Sequence, residues 1–259
     1  MNSTKHIQTK TETLISKKRM LEIKDLKKAF GDNHVLNGFH LTLYEGENLV
    51  IMGKSGSGKS VMIKCLVGLM EPDSGSIKIM DKNLLELNRT ELDELRTEIG
   101  FLFQGSALYD SMTVRENLEF PLRRHEHKFG NITDTTQLVK EALESVGLVH
   151  AIDLMPSELS GGMKRRVALA RTLILKPKII LYDEPTSGLD PITAKEIIEL
   201  MRNIQKQYKT SSLIITHDVD CARVVSERMI LLVDGVNYAE GTFEELKASS
   251  DEKVRAFFK

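Results

Sequence analysis

The sequence predicts an α/β fold, and three observations carry that expectation. Ile179 to Leu181, Leu213 to Ile215 and Met229 to Val233 are continuous apolar runs separated by helical segments, which is how buried parallel strands alternate with crossover helices. A fourth run, Leu49 to Met52, leads through a glycine-rich loop into a segment whose Val61, Met62, Cys65, Leu66 and Leu69 recur at helical spacing. Between about Gly105 and Met163 no strand run occurs, so a helical insertion interrupts the alternation.

The elements follow in chain order. Residues 1–20 carry Lys5, Lys10, Lys17, Lys18 and Arg19 without an apolar core or a small-residue cleavage site, and they read as a flexible tail rather than a secretory signal. Leu21 and Ile23, then Phe39, Leu41 and Leu43, fall at period two, with Gly31-Asp32-Asn33 and Glu45-Gly46-Glu47 as turn chemistry; this predicts an antiparallel β start. Ile77 and Ile79 return to period two, Leu92 and Leu95 mark a charged amphipathic helix, and Ile99 to Phe103 forms another buried strand. Inside the insertion, Leu138, Val139, Ala142, Leu143 and Val146 line one helical face that Gly147 stops. Residues 21–241 thus make one domain, with a helical subdomain at about 105–165. Residues 242–259 form a helical extension that opens on the capping-box spacing Thr242-x-x-Glu245 and closes on Val254, Phe257 and Phe258. That last cluster either docks on a partner copy or packs on its own core.

Composition excludes several classes. The 259 residues hold 36 Lys and Arg against 37 Asp and Glu, a net charge of -1, so there is no bulk pull toward nucleic acid or acidic lipid. No nucleic-acid partner is expected. Apolar runs such as Leu49 to Met52 and Met229 to Val233 fall far short of the roughly 18–20 residues of a spanning helix. The two cysteines, Cys65 and Cys221, lack C-x-x-C spacing, and with the missing signal they point to a reducing, cytoplasmic setting.

Three motifs carry chemistry. Gly53-Lys54-Ser55-Gly56-Ser57-Gly58-Lys59-Ser60 satisfies G-x-x-x-x-G-K-[ST] between a buried strand and a helix, the context a phosphate-binding loop requires. Its glycines let backbone N–H groups turn onto an anion, Lys59 neutralises terminal phosphates and Ser60 ligates Mg²⁺. Ile179 to Glu184 is an apolar strand that delivers Asp183 and Glu184 at its C-terminal end, where open α/β sheets place their chemistry. Asp183 there serves the metal and Glu184 polarises the attacking water. Leu159-Ser160-Gly161-Gly162-Met163 precedes a helix, with Ser160 as a natural N-cap and the glycines exposing N–H groups: a second phosphate-shaped helix start. One nucleotide site within one chain has no evident use for two, which hints at a shared site. Taken singly, the three would be a glycine turn, an acidic strand end and a capped helix.

In this order the motifs resemble those of ATP-binding cassette (ABC) transporter ATPases, over nearly all of residues 21–241. The series runs through the phosphate loop, Gln104 after a strand, the Ser160 signature, Glu184, the loop Ser187-Gly188-Leu189-Asp190, and His217 after the strand Leu213 to Thr216. The resemblance implies a P-loop NTPase (RecA-like) core with an N-terminal antiparallel β subdomain and an inserted helical subdomain. It implies ATP and Mg²⁺ as ligands, with Phe30 stacking on adenine and Gln104 contacting Mg²⁺ or the water and sensing the transmembrane partner. It further implies that His217 contacts the γ-phosphate, Asp190 bridges two subunits, and Ser160 and Gly162 close on the nucleotide held by the opposite copy of a homodimer. Alone, Gln104 would be a strand-end polar residue, His217 a helix-starting histidine and Phe30 a core aromatic. Met163 stands where the family usually has glutamine, and Lys54 where it often has proline.

A finer resemblance, to the ATPases of Mla-type (Mce-associated) phospholipid transporters, rests on Phe101 to Leu108, Leu154 to Met163, Asp190-Pro191-Ile192-Thr193 and the closing Val254 to Phe258. It implies a lipid substrate, transmembrane permease subunits, an Mce-domain protein, a small regulatory subunit, and a peripheral position on the inner face of the cell membrane. An ABC ATPase for amino acids, or a cell-division or regulatory ABC ATPase that moves no solute, would keep the same core motifs. A nucleic-acid clamp would need a basic stripe or a long coiled-coil insertion, and the sequence has neither.

Overall fold

In a computed structural model, which describes residues 17–126 and 135–258, two sheets share the chain. Strands β1 (Arg19–Phe30) and β2 (Asn33–Tyr44) pair antiparallel, and β1 also pairs β4 (Ser74–Ile79), which carries the short β5 (Lys82–Asn83). Strand β1 begins two residues inside the expected tail because Met20 is buried and pairs through its backbone with Met80. Residues 1–16 of that tail lie outside the described residues.

The second sheet has six strands in the order β10-β9-β3-β8-β7-β6. These are β3 (Asn48–Gly53), β6 (Ile99–Leu102), β7 (Ile179–Asp183), β8 (Ser211–Thr216), β9 (Arg228–Val233) and β10 (Val236–Gly241). All pairs are parallel except β10 against β9. Every residue of β3 and β8 is buried, which explains their unbroken apolar runs. Side chains alternate between faces along a strand. Leu49 and Ile51 therefore meet Leu21, Ile23 and Phe39 of the antiparallel sheet, while Val50 and Met52 join the core under the helices.

Helix α1 (Lys59–Leu66) is shorter than its apolar spacing suggests. It stops because Gly68 adopts φ +68 and the Leu69 amide reaches back to the Lys64 carbonyl at 2.8 Å, leaving Leu69 67% exposed; a left-handed glycine closes a helix in this way at little steric cost. Helix α2 (Arg89–Thr97) follows. The insertion holds α3 (Val114–Arg124), started by a Thr113/Glu116 capping box, and α4 (Thr136–Glu144), followed by Gly147 at φ +71. Helix α5 (Gly161–Leu173) then returns to the sheet. Among the described residues of 105–163 there is no strand. Helices α6 (Pro191–Tyr208) and α7 (Val219–Val225) complete the crossovers.

The chain closes with α8 (Phe243–Lys247), whose Thr242/Glu245 capping box matches the sequence expectation, and α9 (Glu252–Arg255). Within one chain, the C-terminal cluster packs on the core and leaves its two aromatic rings half-buried. Val254 is buried, Phe257 and Phe258 pack on the chain's own core, and the Phe258 ring meets Phe243 edge-on at 5.4 Å.

Candidate functional site

The site begins where β3 ends. Gly53 is the last residue of that buried strand, and the chain turns through residues 54–58 into α1. Gly58 sits at φ +103, and a Cβ there would lie 2.7 Å from the Val35 carbonyl oxygen, so the position admits only glycine. It caps α1 without a side-chain hydrogen bond, and no acidic residue occupies the first turn. The helix therefore presents unsatisfied N–H groups and its positive dipole end. The Lys59 ammonium curls into the loop, donating to the carbonyl oxygens of Gly53 and Lys54. Burial draws its pKa below the ordinary lysine value, against the opposing charges of Glu184 and Asp183.

Strand β7 delivers the two acids beside it. Burial, reinforced by Glu184, raises the pKa of the Asp183 carboxyl, while Lys59 and Arg165 oppose the shift. A carboxylate held at such a cost is one that a bound cation would relieve. Glu184 is 9% exposed and takes φ +48, unusual for a residue with a side chain. Its amide donates to the Ile215 carbonyl at 2.8 Å and its carbonyl accepts from Ser187 N at 3.1 Å, so neighbouring backbone holds the strained conformation. The Glu184 carboxylate accepts from the His217 amide at 3.2 Å and lies 2.8 Å from His217 Nδ1, although the histidine side chain is 68% exposed. A second tie runs parallel to this one, from the Thr186 hydroxyl to Asp218 at 2.8 Å.

Lys54, Ser55, Gly56, Gly58, Lys59, Ser60, Gln104, Asp183, Glu184 and His217 line one cavity of about 660 Å³. An adjoining cavity of about 790 Å³ shares Lys54, Ser55 and Gly56, adds Ser57, and is walled by Lys253 and Phe257 of the C-terminal segment. Gln104 donates from Nε2 to the Ser187 hydroxyl at 3.2 Å. No group of three or more His, Cys, Asp or Glu suited to a metal occurs among the described residues. The Ser60 hydroxyl, the Gln104 amide oxygen and the Asp183 carboxylate nevertheless make a hard-oxygen set that fits Mg²⁺ completed by substrate phosphates rather than by an all-protein cage.

The remaining expected residues lie outside these cavities. Phe30 ends β1 and is 49% exposed, so it is not the core aromatic of the alternative reading; it lines neither cavity. Ser160 caps α5, its hydroxyl accepting from Met163 N at 3.2 Å, and Ser160 and Gly161 are exposed. A Cβ on Gly162 would lie 2.5 Å from Thr193 Cγ2, so α5 approaches α6 closely there. Asp190 caps α6, accepting from the Ile192 and Thr193 amides and from the Thr193 hydroxyl at 2.6 Å. The Thr193 hydroxyl is the chief cause holding its pKa below the ordinary carboxylate value.

Sequence reading passed over Arg165, buried in α5 and hydrogen-bonded to two loops of the site. A signal was present, since Arg165 lies three and four residues before Ala168 and Leu169 and so shares their buried face.

A glycine-rich anion cradle at the carboxyl end of a parallel sheet, flanked by two acids, defines a nucleotide-hydrolysing cassette. The model of the family described as ABC transporter matches residues 36–187, and the chain belongs to that family. It is 42% identical over 218 residues to the methionine import ATP-binding protein MetN of Clostridium tetani, covering 83% of this chain and 67% of that protein. It is 37% identical over 240 residues to the intermembrane phospholipid transport system ATP-binding protein MlaF of Haemophilus influenzae, covering 93% and 90%. Among solved structures, the dimeric ATP-binding cassette MJ0796 bound to ADP and Pi superposes with TM-score 0.77 at 33% identity, covering 86% of this chain and 99% of that one. The protein is thus the ATP-binding subunit of an ABC transporter and an ATPase with a P-loop NTPase fold. No helix among the described residues is long and apolar enough to cross a membrane.

Proposed function

We propose that two copies of this chain hydrolyse Mg-ATP at their shared interface and so drive phospholipid transport through separate permease subunits. The observation that carries the shared site is a division of parts: Lys59, Ser60, Gln104, Asp183, Glu184 and His217 surround one cavity, whereas Ser160, Gly161 and Gly162 lie outside it. In the proposed dimer each signature helix start closes on the partner's nucleotide.

In this reading the phosphate loop cradles the nucleotide and Lys59 holds its terminal phosphates. Ser60, Gln104 and Asp183 hold Mg²⁺, which when bound neutralises charge on the β- and γ-phosphates. Glu184, already aligned by the backbone and amide of the β8 end, takes the proton of the attacking water; His217 contacts the γ-phosphate. Asp190 contributes to the dimer interface and Phe30 stacks on the base. The useful output is motion, because ATP favours the closed dimer and that differential affinity biases the permease. The helical insertion contacts the permease, with Gln104 as the link, and the ATPase sits on the cytoplasmic face of the membrane.

The lipid assignment is supported by the chain's match to MlaF over 90% of that protein and by the Mla-like segments around Phe103 and Met163. An Mce-domain protein and a small regulatory subunit would complete such a complex. The 42% identity to MetN favours a second reading, amino-acid import, with the same ATPase. Copurification of the membrane complex, with mass spectrometry of its subunits and bound small molecules, is expected to recover an Mce-domain protein and phospholipid. Recovery of an amino-acid permease would overturn the lipid assignment.

A further inference from the structure

Arg165 is 4% exposed and lies near the start of α5, five residues after Ser160. Its guanidinium donates to the Phe103 carbonyl at 2.8 Å and to the Ser187 carbonyl at 3.2 Å. Phe103 immediately precedes Gln104, and Ser187 is the residue whose hydroxyl receives the Gln104 amide and whose own amide bonds the Glu184 carbonyl. One side chain thus touches the backbone of two loops that flank the cavity while riding on the helix that begins with the signature.

Two further residues of α5 hold the same strand end. The Thr172 hydroxyl donates to the Phe101 carbonyl at 3.2 Å, and Arg171 donates to the Ser106 carbonyl at 3.3 Å. Ser106 and Ala107 take φ +61 and φ +50, so the chain just beyond Gln104 is held in sparsely populated conformations. Arg165 differs from these neighbours in reaching the loop after Glu184 as well. Its Nε is buried and makes no hydrogen bond, so the two bonds Arg165 does make come from the terminal nitrogens alone. Burial lowers its pKa and the nearby Asp183 charge opposes that shift.

We propose that Arg165 is a positioning residue that couples the Gln104 and Ser187 loops to the Ser160 signature, so that the three move as one body when the site closes. A planar fork suits this task because it bonds two carbonyls in fixed relative geometry. Displacement of Gln104, by substrate or by a membrane partner, is then carried through Arg165 into α5 and reorients its N-terminal cap. The inference rests on the shared-site reading above.

Two variants test it in the full-length chain. Arg165→Met removes both donors and nearly keeps the volume; Arg165→Lys keeps the charge but loses the fork. With Mg-ATP as the probe, and turnover normalised to the folded fraction from thermal melts, kcat is expected to fall tenfold or more in the methionine variant and at least fivefold in the lysine variant. Nucleotide affinity of the isolated chain should stay within twofold, because the phosphate loop is untouched. The protein concentration needed for ATP-driven dimerisation in a Glu184→Gln background should rise at least fivefold. Turnover per folded molecule within twofold of the parent in Arg165→Lys would overturn the proposal, as would kcat and affinity falling together in either variant. Failure of the shared-site reading looks different, since the parent's own specific turnover would then not depend on its concentration.

Discussion

Exchange of Glu184 for glutamine is expected to reduce ATP turnover by roughly 100- to 10,000-fold, the range a positioned general base supplies. The isostere preserves the shape of a nearly buried side chain and still offers an oxygen to the His217 amide. It lacks only the basicity. Nucleotide binding should therefore survive, and with the chemical step blocked the closed dimer should accumulate on adding Mg-ATP. A turnover assay paired with size-exclusion chromatography reads both effects. Turnover near that of the parent would remove Glu184 from the base role, and loss of nucleotide binding would mean that the substitution had disturbed the cradle instead.

Replacement of Lys59 by alanine is the second large effect. A hydrogen bond to a charged group contributes about 1.5–3 kcal/mol, so affinity for Mg-ATP should fall roughly 10- to 150-fold. The fold should tolerate the change, because Lys59 is only half-buried and one of its two partners, the Lys54 carbonyl, belongs to an exposed loop residue. Titration with a fluorescent ATP analogue measures the loss; unchanged affinity would argue against Lys59 as the phosphate ligand.

What could be read from the sequence was local. The phosphate loop and the Asp183-Glu184 strand end announce themselves through spacing within a few residues, and β3, β7, β8 and β9 through unbroken apolar runs that only burial on both faces requires, whereas the half-exposed edge strand β10, Val236-Asn237-Tyr238-Ala239-Glu240-Gly241, gives no such signal. Even the capping box at Thr242 follows from a fixed three-residue offset. Features set by tertiary packing were hidden. The positive φ of Glu184 depends on bonds to β8 and to Ser187, and the partners of Arg165 are carbonyl groups, which no side-chain pattern records. Leu69 fits the helical period but follows a left-handed glycine, so backbone conformation ended the helix before periodicity did. The signature is a different case. Its sequence gives away an anion-seeking helix start, yet in the proposed dimer its place relative to the nucleotide is set by two chains rather than one.

Mixing two impaired variants, at an Mg-ATP concentration that fills the parental site but not the weakened Lys59→Ala site, tests that sharing most directly. Lys59→Ala spoils the phosphate loop and leaves Ser160 intact; Ser160→Arg blocks the signature and leaves Lys59 intact, at a cost of about 1 kcal/mol for the lost N-cap. If each nucleotide lies between the loop of one copy and the signature of the other, every mixed dimer contains one wholly intact site. An equimolar mixture should then recover up to about a quarter of parental turnover, since half the dimers are mixed and each has one working site of two. A mixture as inactive as its separate components would contradict the shared site, and so would a Ser160→Arg protein that turns over ATP at the parental rate without a partner.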